Sequence, residues 1–182
     1  MYKMIAIDID GTLLDSKRQI SKEVKRAIAL AKRKGVKVVL CSGRPLVGVR
    51  EYLKALNLVE EGDYAITFNG ALIQDTFTGQ PLSHLTLRGD EIKELLAVAK
   101  NLGLSSHFLD LENLLTVDES VSPYSLREVE ITRTPLKQVT PSEILGAGLF
   151  SKFMLSDHPE NIGTALTRLP SDLLRRFTVI RS

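Results

Sequence analysis

"MIAIDIDGTLLD", residues 4–15, decides how this chain is read. An apolar run stops abruptly at two aspartates, a glycine and a threonine, so what reads as a buried strand over 4–9 delivers two carboxylates, Asp8 and Asp10, to its end. Gly11 allows a sharp turn that swings Asp10 back toward Asp8. Two carboxylates held close together attract a hard divalent cation and do not both ionise comfortably without one. With Mg²⁺ present, one can stay an anionic nucleophile while the other carries a proton. The alternative is turn chemistry alone. The four fixed residues of D-x-D-G-T arise by chance in a chain of this length roughly two times in a thousand, which favours catalysis.

Working outward, strand and helix signals alternate. Val24, Ala27, Ile28 and Ala31 mark one face of a helix over 21–34 with Ser21 as its N-cap. "VKVVLC" at 36–41 reads as a second strand, and 45–56 as a second helix with Leu46, Val49, Leu53 and Leu56 on one side. "YAITFN" at 64–69 is a third strand. This βαβαβ order predicts an α/β fold with a partial Rossmann-like parallel sheet, whose ligands bind beyond the carboxyl ends of the strands. Asp8, Asp10, Ser42 and Asn69 all fall at those ends.

"CSGRP" at 41–45 is the second candidate element. Ser42 follows a strand, Gly43 lets the backbone approach a ligand, and Pro45 suits the first position of a helix whose free amides would hold a phosphate. Arg44 either clamps an anionic substrate or pairs with a surface carboxylate. Asn69 and Gly70 either bind ligand or form the turn out of the third strand.

Beyond residue 71 the pattern changes. "ALIQD" and "PLSHLTL" flank "TFTGQ" and predict a hairpin; Asp90 is read as the cap of a helix that ends at Leu102 before Gly103. Strands are expected at 113–117, 152–156 and 177–181, and helices near 141–146, 159–168 and 170–176. The division expected is a first unit at 1–82 and an α+β unit at 83–182, packed closely with no flexible linker.

Composition excludes other classes. With 43% hydrophobic and 25% charged residues the chain is that of an ordinary globular protein. Its formal charge of +2 is too small to suggest nucleic acid, and the basic run "KRKG" at 32–35 is explained by a helix C-terminus with Gly35 just past it. No apolar stretch approaches the roughly 20 residues a membrane span needs, and the N-terminus does not read as a signal peptide. The single cysteine, Cys41, fits a reducing cytoplasm and is read as a buried strand-end thiol, not a nucleophile. His84, His107 and His158 show no metal-ligand spacing.

"DIDGTLLD", "CSGRP" and "ITFNGA", in that order, resemble the haloacid dehalogenase-like phosphatases, and more narrowly their Cof-type branch, which hydrolyses sugar phosphates and related metabolites. The resemblance covers essentially the whole chain. It implies that Asp8 attacks phosphorus to give an aspartyl-phosphate and that Asp10 is the acid for the leaving group and then the base for water. It further implies that Mg²⁺ sits on Asp8 and on Asp10, through the main-chain carbonyl of the latter. Ser42, Gly43, Arg44 and Asn69 become the phosphate and substrate contacts, and residues from about 83 onward an inserted α+β cap. The family also uses a lysine and a Gly-Asp pair from a C-terminal half of the core, which this sequence does not contain; Asp90 in "GDEIKE" is better read as helix capping. The first strand is then expected at an open sheet edge, where a second copy of the chain would pair to form a homodimer.

Overall fold

The computed structural model describes residues 2–146 and 148–181. The first strand, β1 (Met4–Asp8), leads through a tight turn over Ile9–Leu13 to α1 (Lys22–Arg33), β2 (Lys37–Cys41), α2 (Leu46–Ala55) and β3 (Tyr64–Thr67). A hairpin follows, β4 (Leu72–Asp75) and β5 (Pro81–His84). These strands form one sheet in the order β1-β2-β3-β4-β5, the first three parallel and the last two antiparallel. The α/β class and its parallel core are as the sequence led us to expect.

Local chemistry explains the elements. Ser21 Oγ accepts from the Val24 N–H at 3.2 Å and starts α1, and Gly35, at φ +77°, carries the chain out of it. Ile28 is the buried anchor of α1, with Val24 and Ala31 half-buried beside it, whereas Ala27 is exposed. Leu46, Val49 and Leu53 pack α2 onto Val38 and Leu40 of β2, as the helical spacing of the apolar residues predicts.

Two corrections concern the ends of the chain. The apolar run of β1 is not buried: Met4 is 60% and Ile5 41% exposed, because among the described residues only β2 pairs with this strand. Residues 177–181 form no strand.

The second unit opens with α3 (Gly89–Leu102), which stops at Gly103 in the left-handed conformation. Asp90 lies inside its first turn, not at the cap; Arg88 takes that place, and the Glu91 carboxylate accepts from the Arg88 N–H at 2.8 Å. Then come β6 (Ser105–Leu109), β7 (Leu114–Thr116), α4 (Pro123–Thr132), β8 (Leu136–Gln138), α5 (Pro141–Gly146), β9 (Lys152–Ser156), α6 (Pro159–Thr167) and α7 (Ser171–Arg176). The sheet order is β8-β7-β6-β9. Strands β6 and β8 and helix α4 have no counterpart in the sequence reading. One face of this sheet packs with α3 and α5 around Ile92, Phe108, Ile144 and Phe150. Leu109 and Leu114 cluster with Phe68 and Leu72, so the two units share buried apolar contact without a linker between them. No helix among the described residues is long and apolar enough to cross a membrane.

Candidate active site

The strand ends assemble the site. Asp8 closes β1 in register with Cys41, and Ser42 is the next residue beyond β2. Asn69 lies two residues beyond β3. Side chains alternate across the turn that follows β1: Asp8 and Asp10 are exposed, while Ile9 between them is fully buried and anchors the loop. Gly11, at φ +78°, makes the reversal, and the Leu14 N–H closes it on the Ile9 carbonyl at 3.1 Å. The two carboxylates thus meet solvent at one end of the sheet.

Asp10 is already partnered. The Arg44 guanidinium grips it with both arms, Nη2 donating to Oδ1 at 2.8 Å and Nε to Oδ2 at 3.1 Å. This forked pairing uses the planar geometry that only arginine supplies. Arg44 is 7% exposed, and its Nη1 also donates to the main-chain carbonyl of Ile131, in the last turn of α4, at 3.3 Å. A second arginine, Arg18, reaches Asp10 Oδ1 at 3.5 Å from a left-handed backbone at φ +59°. The partner of Arg44 is thus Asp10, a carboxylate of the candidate site itself.

Ser42 is 8% exposed and held on three sides. Its N–H donates to the Ile66 carbonyl at 2.9 Å, its carbonyl accepts from the Asn69 N–H at 3.1 Å, and its Oγ accepts from the Arg44 N–H at 3.2 Å. Gly43 faces the Asn69 side chain: a Cβ there would lie 3.0 Å from both Oδ1 and Nδ2, a crowded contact that would push the Asn69 amide aside. Asn69 itself adopts φ +58°, a conformation asparagine tolerates better than most residues. Pro45 is the N-cap of α2, not its first helical residue, and offers no side-chain acceptor to the first amides of the helix.

The remaining titratable groups are structural. Burial, and then the Asp8 charge, push the Cys41 thiol above its ordinary range, which disfavours the thiolate. His84 bonds Ser151 Oγ at 3.0 Å, His107 bonds Ser125 Oγ at 2.9 Å, and His158 precedes α6. Among the described residues no group of three His, Cys, Asp or Glu side chains comes together to hold a metal. The carboxylate of Asp8 and the main-chain oxygen of Asp10, the ligands the resemblance implies, are hard donors of the kind Mg²⁺ takes but only part of the roughly six it needs.

Sequence reading missed two contributors, Arg18 and the C-terminal turn of α4. The first stood in a charged loop with no periodic signal. The second had one, because Ser122 followed by Pro123 is an N-cap with proline at the first helical position, and Ser122 Oγ does accept from the Ser125 N–H at 3.1 Å.

Residues 5–182 match the family model described as haloacid dehalogenase-like hydrolase. YxeH of Bacillus subtilis strain 168, assigned as a phosphatase, is 42% identical over 182 residues, covering 100% of this chain and 67% of its own. A haloacid dehalogenase-like hydrolase from Bacteroides thetaiotaomicron has the same fold, with a TM-score of 0.84 at 24% identity over 100% of this chain and 68% of its own. A sugar phosphatase of HAD subclass IIB superposes with a TM-score of 0.68 at 21% identity, over 91% of this chain and 62% of its own. The class is therefore that of the phosphoric monoester hydrolases. The chain belongs to the haloacid dehalogenase-like hydrolase family. It spans about two thirds of the length of the curated relatives it matches.

Proposed function

We propose that the chain carries the nucleophile, the acid–base group and the phosphate loop of a Mg²⁺-dependent phosphatase acting in the cytoplasm on small phosphorylated metabolites. Sugar phosphates are the favoured class, since one neighbour of the same fold is a sugar phosphatase. Residues 1–82 would supply this chemistry and 83–182 the cap that selects substrate. The observation that carries the reading is the convergence of Asp8, Asp10 and Ser42 at the carboxyl ends of β1 and β2.

In this reading an Asp8 oxygen attacks phosphorus and the bond to the leaving oxygen breaks. Asp10 gives that oxygen its proton, and the Asp8 acyl phosphate forms. Asp10 then takes a proton from water as the water oxygen attacks phosphorus, releasing inorganic phosphate and restoring the Asp8 carboxylate. Ser42, the backbone at Gly43 and the first amides of α2 orient the phosphoryl oxygens. Mg²⁺, held by Asp8 and the Asp10 carbonyl, would neutralise charge between nucleophile and phosphate.

One observation favours a second reading of the chain by itself. With two oxygen donors for a cation and Arg44 committed to Asp10, it would bind phosphate or metal and turn over little. Phosphatase assay against a panel of phosphate esters, with and without Mg²⁺, separates the two. Turnover that requires Mg²⁺ and is abolished in Asp8→Asn, an amide of nearly the same shape that cannot form the acyl phosphate, is the result expected. Activity surviving that substitution within a few-fold excludes this mechanism.

A further inference from the structure

Arg44 touches two things at once. Two arms of its guanidinium hold the Asp10 carboxylate, and Nη1 holds the Ile131 carbonyl, 87 residues further along the chain. That carbonyl lies in the last turn of α4, where main-chain acceptors have no partner within the helix, and the residue four positions on is Pro135, which has no N–H to give. Arg44 supplies the missing donor.

The contact belongs to a wider seam between α4 and α2. At Gly48 an added Cβ would lie 2.9 Å from the Thr132 carbonyl oxygen and 3.3 Å from the Arg44 Cβ, so the two helices touch there through backbone. One turn further along α2, Glu51 Oε1 accepts from Arg133 Nη1 at 2.5 Å. Arg133 ends α4 in a left-handed conformation, φ +56°. Every contact of this seam comes from the C-terminal turn of α4, and its innermost member is the arginine on Asp10.

We propose that Arg44 is a positioning residue that makes the docking of α4 on α2 and the placement of Asp10 a single event. With α4 docked, the guanidinium is fixed at its far side and holds both Asp10 oxygens as acceptors. With α4 displaced, Nη1 loses its carbonyl, and the fork that holds Asp10 is no longer fixed at its far side. What this coupling means for turnover rests on Asp10 being the acid of the proposed phosphatase; the physical coupling between α4 and the Asp10–Arg44 pair does not.

Gly48→Ala tests it on the full chain, because the new methyl meets the Thr132 carbonyl oxygen at 2.9 Å and wedges α4 away, and alanine strengthens the interior of α2; since that methyl also lies 3.3 Å from Arg44 Cβ, a response must be matched by the Glu51→Gln variant below to count for the coupling. The readout is the Nε–H resonance of Arg44, together with the amides of residues 131–134, followed by NMR. In the parent chain the Nε–H exchanges slowly because it is bonded to Asp10. In Gly48→Ala we expect its exchange to quicken by about tenfold, the loss of roughly one hydrogen bond to a charged group, in step with shifts at 131–134. Glu51→Gln, which loosens the same seam without adding volume, should move both sets of signals the same way by a smaller amount, and carries the test if the alanine variant does not fold. Shifts at 131–134 with an unchanged Arg44 Nε–H overturn the proposal. Where turnover is measurable, both variants should change kcat more than KM; a change in KM alone would place the seam in substrate binding and refute the coupling. A chain with no turnover sinks the phosphatase reading and leaves the resonance test standing.

Discussion

His107 provides a direct handle on the packing of the second unit. It sits in β6 at 1% exposure, its Nδ1 bonded to Ser125 Oγ at 2.9 Å and its Nε2 buried with no partner. Burial, and secondarily the Lys152 ammonium, push its pKa from 6.5 down to about 4. Between these two values the unfolded chain binds a proton that the folded chain refuses, so stability rises with pH across the interval and is lost as pH falls through it. At roughly 1.4 kcal/mol per pH unit the full loss below the folded value is about 3 kcal/mol, a large part of the total stability of an ordinary domain. Urea unfolding followed by circular dichroism, from about pH 7.5 down to about pH 4, measures it for the parent chain and for His107→Gln. The carboxylates titrate alike in both, so they cancel in the difference. That difference should be flat above about pH 6.5 and then swing toward the variant by about 3 kcal/mol as pH approaches 4. Parallel curves over the whole range would refute the argument that His107 is buried neutral.

Two further outcomes follow from the sheet. Cys41, its thiol raised by burial and by Asp8, should react with an aromatic disulfide reagent near neutral pH several-fold more slowly than free cysteine, and Asp8→Asn should speed it; a rate matching free cysteine would contradict the register that sets Asp8 beside it. The open edge of β1, with Met4 and Ile5 exposed, should drive concentration-dependent dimerisation that Ile5→Lys weakens, and sedimentation equilibrium showing a monomer at high concentration would remove the edge-pairing argument.

Where local rules govern, the sequence was legible. The apolar period of α2 and the Ser21 cap of α1 depend on residues three or four apart, and both are realised as read. Ser105–Leu109 was illegible for a physical reason: buried on both faces of the second sheet, with Ser106 and His107 at 3% and 1% exposure, it carries polar residues where the alternation of a half-buried strand is sought. Short β8, Leu136–Gln138, is held by parallel pairing to β7 and has too few residues to show any period. The apolar spelling of β1 misled in the other direction. It describes a strand suited to neighbours on both sides, and among the described residues it has β2 alone.

The candidate site divides along the same line. Asp8, Asp10, Ser42 and Asn69 could be placed together from sequence because each follows a strand, and parallel strands in a right-handed βαβ succession bring their carboxyl ends to one edge whatever their side chains are. The state of those side chains is a different kind of information. Arg44 finds Asp10 34 residues back and Ile131 87 residues on, through a guanidinium shared between a loop and a helix end. No periodicity or cap rule spans such separations, which is why its two alternatives stayed open in the sequence. The structure shows the guanidinium on Asp10, an acceptor of the same kind as a substrate phosphate. An arginine that neutralises the acid–base candidate while anchored to the opposite unit ties the chemistry of the first sheet to the placement of the second, and it does so through contacts that only the folded chain creates.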